Sequence, residues 1–152
     1  KMFKRILVTM DDSKTAKLAL KKAIELAREQ KAKLRIVHVV NYTTHAVGGE
    51  GINIDALRES MQKSAEHLLK KSAELAEKKK VKTEKKLIEF SAVIGTVSDE
   101  IIEDAKKWRA SLIVIGTHGR RGMKRLILGS TAEEVLRKTT IPILLFRSKQ
   151  DD

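Results

Sequence analysis

The densest concentration of chemistry-bearing residues is a glycine-rich stretch, Gly116-Thr117-His118-Gly119-Arg120-Arg121-Gly122-Met123-Lys124, which runs on to Gly129-Ser130-Thr131. Glycines let the backbone approach an anion closely and turn through conformations that side chains resist. Successive main-chain N–H groups in such a stretch form an anion-binding concavity. A helix opening near Ser130 adds the positive end of its dipole, with the Ser130 and Thr131 hydroxyls as further donors. Arg120, Arg121 and Lys124 bring mobile positive charge. The ligand that suits these parts is a polyphosphate. Neither the GxxxxGK[ST] phosphate loop nor a GxGxxG after the first strand is present, so a generic NTPase or dehydrogenase reading fails. The spacing is instead G-x2-G-x9-G-S, from Gly116 through Gly119 to Gly129 and Ser130.

The elements that must position this stretch follow from the apolar pattern. Ile6-Leu7-Val8-Thr9-Met10 is a short apolar run without alternation, the signature of a strand buried on both faces of a parallel sheet. Asp11-Asp12-Ser13 supplies turn and cap chemistry, and Ala16, Leu20, Ala23, Ile24 and Ala27 then predict an amphipathic helix to about Gln30. Residues 34–40 read as a second buried strand, broken only by Arg35 and His38, and residues 42–53, with three glycines, as a surface loop. Leu57, Met61, Ala65, Leu68, Ser72 and Ala76 mark a long helix that ends in lysines. Residues 83–90 form a third strand. Gly95 opens a turn, Ser98 is the expected cap, and Ile101, Ala105 and Trp108 share a helical face. Leu112-Ile113-Val114-Ile115 is the fourth strand, the glycine stretch leads into a helix through Val135 and Leu136, and residues 142–146 close the chain as a fifth strand. This alternation predicts an α/β fold of three layers, a doubly wound five-stranded parallel sheet with helices on both faces. In such a sheet ligands bind beyond the carboxyl ends of the strands, where the strand order reverses. Thr9, Met10, Asp11, Asp12 and Ile115 stand at strand ends of that kind.

Composition narrows the function classes. The chain has 152 residues, 41% hydrophobic, with 32 Lys and Arg against 20 Asp and Glu for a net charge of +12. That describes one soluble domain, set at residues 2–148 with a polar tail at 149–152, Lys1 preceding what reads as a start at Met2. Absence of Cys removes disulfides, thiolate metal sites and a cysteine nucleophile, and suits a cytoplasmic location. No apolar run approaches the roughly 20 residues of a membrane span. The densest basic run, residues 78–86, falls where a helix ends, and the few aromatics are scattered singly rather than set out as a stacking platform. The charge supports unspecific phosphate attraction at most, and no specific nucleic-acid partner is expected.

At the glycine spacing, and over nearly the whole chain, the sequence resembles the universal stress protein family. Residues 6–8 with Asp11 and Ser13 look like the family's opening strand and turn, Val37-His38-Val39 like its second strand, and residues 112–116 and 141–146 like its fourth and fifth. The resemblance implies the strand order 3-2-1-4-5 and an adenine nucleotide, ATP or else ADP or AMP, across the carboxyl ends of the first, second and fourth strands. It places the nucleotide-contacting turn residue on Asp11, the adenine-side backbone position on Val39, and the phosphate loop on Gly116, Gly119, Gly129, Ser130 and Thr131. It also implies a homodimer, and pairing through the strand from Ile141 to Phe146 would cover an otherwise bare apolar edge.

One departure bears on the site. Asp12 stands where the family often has Gly, and a carboxylate beside a triphosphate either helps hold Mg²⁺ or weakens nucleotide binding. Of the histidines, His38 reads as a hydrogen-bonded core residue, His118 as a ligand contact or an exposed loop residue, and His45 and His67 have no partner at metal-ligand spacing. Met61 and Trp108 read as core. No general base stands out, so the expectation is a nucleotide-responsive regulatory protein rather than a dedicated enzyme. The rival readings are a nucleotide-free scaffold of the same fold and a basic nucleic-acid-binding module.

Overall fold

The structure, a computed structural model, describes residues 1–42, 51, 53–91, 95–117 and 129–147. Among the described residues nine elements follow one another: β1 (Arg5–Thr9), α1 (Lys14–Gln30), β2 (Lys33–Asn41), α2 (Ile54–Lys78), β3 (Thr83–Phe90), α3 (Val97–Trp108), β4 (Leu112–Gly116), α4 (Ser130–Lys138) and β5 (Ile143–Phe146). All five strands are parallel, in the order β3-β2-β1-β4-β5, so the doubly wound sheet expected from the apolar pattern is the sheet observed.

Alternate residues of the central strands supply two cores. Ile6, Val8, Leu34, Ile36, Leu112 and Val114 pack against α1 and α2. Leu7, Val37, Ile113 and Ile115 pack against α3 and α4. Because both faces are covered, the strands carry apolar residues without a break, which is why they stand out in the sequence.

Several boundaries differ from the sequence reading. Met10 leaves the ladder but donates its N–H to the Val37 carbonyl at 2.8 Å, so it ends β1 without belonging to it. β2 gains one residue at each end, Lys33 through its pairing with Arg5 of β1 and Asn41 through its pairing with Phe90 of β3. The cap of α3 is Thr96, not Ser98. Extended at φ −126°, Thr96 accepts from the Asp99 N–H, while Ser98 sits one residue into the helix, buried, with its hydroxyl on the Glu134 carboxylate. Starting the helix at Val97 turns Val97 and Ile101 onto the same face, toward the sheet. Met61 is only half-buried, as is Leu57, whereas Ala65, Leu69, Ser72, Ala73 and Ala76 are buried. At about 1.5 Å per residue α2 is roughly 37 Å long, against about 27 Å for the eight-residue strand β3, so its first turns overhang the sheet. Of the loop assigned to residues 42–53, residues 43–50 and 52 lie outside the described residues.

At the strand entries, Arg35 and Lys33 of β2 both reach Glu84 of β3. Lys33 foremost, with Arg35, holds the Glu84 carboxyl below the usual carboxylate range. A carboxylate whose folded pKa lies below its unfolded value of about 4.3 stabilises the fold above that pH, and the contribution disappears as the pH falls through the folded value. Glu84 is a third exposed, which limits the effect to about 1 kcal/mol at pH 7. In urea titrations Glu84→Gln is expected to unfold earlier than the parent at pH 7, with the two curves converging below about pH 4. A gap that stays constant across that range would mean that the charge of Glu84 contributes nothing.

Candidate functional site

The strand order reverses between β1 and β4, and a shallow cleft partly open to solvent lies at the carboxyl ends of the strands there. Thr9, Met10 and Asp11 form its β1 side, Val37, His38 and Val39 its β2 side, and Ile115 with Gly116 its β4 side. Helices close the rest, through Ala16 of α1, Val97 and Ile101 of α3, and Thr131 with Ala132 of α4.

Local geometry explains how each wall is set. Ser13 caps α1, its Oγ accepting the Ala16 N–H at 3.1 Å, and the Asp11 carboxylate accepts the Ser13 N–H at 3.0 Å. The turn thus fixes Asp11 at the rim. Gly116 admits α1: a Cβ built on it would stand 2.6 Å from both the carbonyl carbon and oxygen of Thr15, and 2.9 Å from the Ala16 nitrogen. The glycine is therefore required by close packing of the backbones, since its φ is not in the left-handed region. His38 approaches the Met10 carbonyl with Nδ1 at 2.5 Å, and since a carbonyl only accepts, Nδ1 carries the hydrogen. The imidazole is a hydrogen-bonded tie between β2 and the end of β1, as the sequence reading had it, yet it also lines the cleft.

The far end of the cleft is polar. Helices α1, α2 and α3 are capped by the side chains of Ser13, Asn53 and Thr96, whereas α4 begins at Gly129, which has no side chain to accept from the first turn. The Thr131 and Ala132 end of α4 therefore brings the positive end of a helix dipole, with N–H groups of a first turn that no cap side chain accepts from, to the cleft.

Of the residues singled out in the sequence, Thr9, Met10, Asp11, Val39, Ile115, Gly116 and Thr131 come together on the cleft. Gly129 and the exposed Ser130 open α4 beside it without lining it. His118, Gly119, Arg120, Arg121 and Gly122 lie outside the described residues. Asp12 is not brought in. Its carboxylate is 3.2 Å from Lys17 Nζ, with the two side chains 70% and 60% exposed. Among the described residues no group of three or more His, Asp or Glu side chains is placed to hold a metal ion.

The backbone of Asp12 accounts for the glycine often found there. Its φ is +65°, in the left-handed region. Asp12→Gly is expected to leave stability unchanged or raise it by about 1 kcal/mol, release of backbone strain offsetting an exposed ion pair of small value. Thermal melts of the variant check this, and a clear loss would mean that the Lys17 pair matters more than the strain.

The sequence reading missed Ala16, Val37, Val97, Ile101 and Ala132 as cleft residues. Their signal was present only as helical or strand-face spacing, Val97 with Ile101 at i, i+4 and Val37 with Val39 at i, i+2, which also describes ordinary core.

The model of the universal stress protein family matches residues 2–147. The chain belongs to the universal stress protein family. Universal stress protein YxiE of Bacillus subtilis is 34% identical over 153 aligned positions, covering 96% of this chain and all of the relative. A solved universal stress protein of Burkholderia pseudomallei is 30% identical with a TM-score of 0.76, covering 95% of this chain and 96% of its own. Two more distant members share the fold. One, at 19% identity and TM-score 0.71, was solved in complex with cAMP, with 98% of this chain and all of its own covered. The other, from Archaeoglobus fulgidus in complex with dAMP, has 24% identity and TM-score 0.66, with 96% and 99% covered. As for membranes, no helix among the described residues is long and apolar enough to cross one.

Proposed function

We propose that this universal stress protein is a cytoplasmic regulatory protein that binds an adenine nucleotide, ATP or else ADP or AMP, in the cleft at the strand-order reversal. The observation that carries the reading is the cleft's division into an apolar slot walled by Val37, Val39, Ile101 and Ile115 and a polar end at the uncapped start of α4. A flat base fits the slot, the Val39 backbone edges it, and Asp11 at the rim is placed to accept from a ribose hydroxyl. Phosphates belong at α4 and at the glycine stretch of Gly119 to Gly122. Binding of cAMP and dAMP by relatives of the same fold supports the base and the sugar rather than a particular phosphate count.

The ligand acts by stabilising one conformation or partner surface rather than by being turned over. The Asp11 carboxylate is engaged with the turn through the Ser13 N–H. The protein is proposed to be a homodimer through β5, whose Leu144 is exposed and which among the described residues pairs only with β4. Sedimentation that gives only the 17.1 kDa monomer at micromolar concentration overturns the dimer.

The test of the ligand is a melt of nucleotide-stripped protein with ATP, ADP, AMP and cAMP, each with and without Mg²⁺. At a hundredfold excess over Kd the expected stabilisation is about 2.7 kcal/mol, roughly 5–10 °C for a chain of this size. Asp11→Ala is expected to cut the shift. No shift with any nucleotide at millimolar concentration leaves a nucleotide-free scaffold.

A further inference from the structure

At the opposite end of the molecule from the cleft, the topology gathers the ends of α1, α2 and α3 beside the entries of the strands they feed. All three helices end the same way. The N–H of Ala32 bonds the Ala27 carbonyl at 2.8 Å, that of Val81 the Ala76 carbonyl at 3.2 Å, and that of Ala110 the Ala105 carbonyl at 2.9 Å. In each case the preceding residue is left-handed: Lys31 at φ 52°, Lys80 at 59° and Arg109 at 59°. This is the position of the helix-ending motif that glycine ordinarily fills, because only glycine takes that conformation freely. Here a cation occupies it three times out of three.

The helix dipoles do not demand this. Arg28, Lys78 and Lys106 with Lys107 already place positive charge in the last turns. Backbone hydrogen bonds then align further cations with the caps. The Leu34 N–H bonds the Lys82 carbonyl, the Lys33 N–H bonds the Lys4 carbonyl, and the Ser111 N–H bonds the Arg5 carbonyl. Entries of β3, β2, β1 and β4 thus stand side by side, and at about 4.8 Å per strand they make a row roughly 15 Å long.

Lys4, Lys31, Lys80, Lys82 and Arg109 are all exposed, and none has an ion-pair partner among the described residues. Of the carboxylates in the last turns of these helices and at the strand entries, Glu84 is taken by Lys33 and Arg35, Asp104 by Arg35, Glu103 by Lys107 and Glu25 by Lys22, which leaves Glu29, Glu74 and Glu77 against the five cations. Trp108 is buried and Phe3 half-buried, so no exposed aromatic is offered here to stack on bases or to anchor in a lipid interface. The charges are held on fixed backbone rather than on a tail, which matches a rigid ladder of phosphates.

We propose that this end binds the phosphate backbone of duplex nucleic acid without regard to sequence, through the row formed by Lys82, Lys80, Lys31, Lys4 and Arg109. The proposal is independent of the nucleotide cleft.

Fluorescence anisotropy of a labelled 30-base-pair DNA duplex of arbitrary sequence, between 20 and 200 mM KCl, tests it. Each phosphate contact contributes about 0.9 to the slope of log K against log salt. The variant K31G/K80G/R109G is expected to flatten that slope by about 2.7 and to weaken binding at least tenfold at 50 mM KCl. Its melting temperature is expected to equal or exceed the parent's, since glycine suits all three positions. Should it melt lower, K4Q/K82Q gives the same reading, with the slope flattened by about 1.8. The control K21Q/K63Q/K70Q removes as many charges from the exposed sides of α1 and α2, and keeps the parent's slope. Absence of binding by the parent overturns the proposal, as does an equal loss in the control. Binding to phosphatidylserine vesicles without binding to the duplex also overturns it.

Discussion

Gly116→Ala is expected to destabilise the protein by about 3 kcal/mol or more in urea unfolding, beyond the range usual for one added methyl group in a core. The reason is the identity of the atoms a new Cβ would meet. They are the Thr15 carbonyl and the Ala16 nitrogen, at 2.6 and 2.9 Å, and they are backbone. A side chain could rotate away, but these atoms are held by the Ser13 cap and by the Lys17 N–H bonded to the Ser13 carbonyl at 3.0 Å. Relief requires the start of α1 to move off the end of β4. That movement would open the cleft, because Ala16 and Gly116 both line it and Asp11 belongs to the same turn. Nucleotide affinity is therefore expected to fall together with stability. Gly95, at φ +113° with nothing within 4 Å of an added Cβ, is the useful contrast, since alanine there meets a conformational penalty alone. A loss below about 1 kcal/mol for Gly116→Ala would mean that α1 shifts easily, and the glycine would then be explained by the ligand rather than by packing.

What the sequence made legible, and what it did not, divides along physical lines. The strands were plain because burial on both faces demands unbroken apolar runs, as in residues 112–115, and the alternation of strands with helices leaves few topologies. Gly116 could be named because it ends β4 at the reversal point, and Asp11 because it stands in the turn after β1 where the family resemblance places a nucleotide contact. Ala16, Val97 and Ile101 could not, because a helical residue facing a cleft and one facing core have the same spacing. Thr96 and Ser98 are both competent caps two residues apart, and the choice between them is made by which register turns Val97 and Ile101 toward the sheet. The cations at Lys31, Lys80 and Arg109 were visible only as charge. Their left-handed backbone is a property of the folded chain.

Asp104→Ala is expected to lose about 3–5 kcal/mol, because it strands a charge under α3. Arg35 was visible in the sequence as a cation inside an apolar strand, but its partner is 69 residues away. In the fold its guanidinium is bidentate on Asp104, Nε to Oδ2 and Nη2 to Oδ1 both at 2.9 Å, while Nη1 reaches Glu84 at 2.9 Å. Side chains of Arg35 and Asp104 are 16% and 10% exposed. Burial opposes the charge on Arg35, yet Asp104 and then Glu84 outweigh it and raise its pKa further. The Trp108 ring adds a cation–π contact to Arg35 at 5.6 Å and another to Arg5 at 5.7 Å. Removing the carboxylate leaves the guanidinium with Glu84 alone and two donors unpaired. The double variant R35M/D104L should recover most of the loss, since apolar volume in place of a buried ion pair is often close to neutral. As the only tryptophan, Trp108 reports the unfolding directly by fluorescence. If Asp104→Ala loses less than about 1 kcal/mol, or the double variant is no better than the single, then the pair is solvated in practice and α3 is held by its apolar face alone.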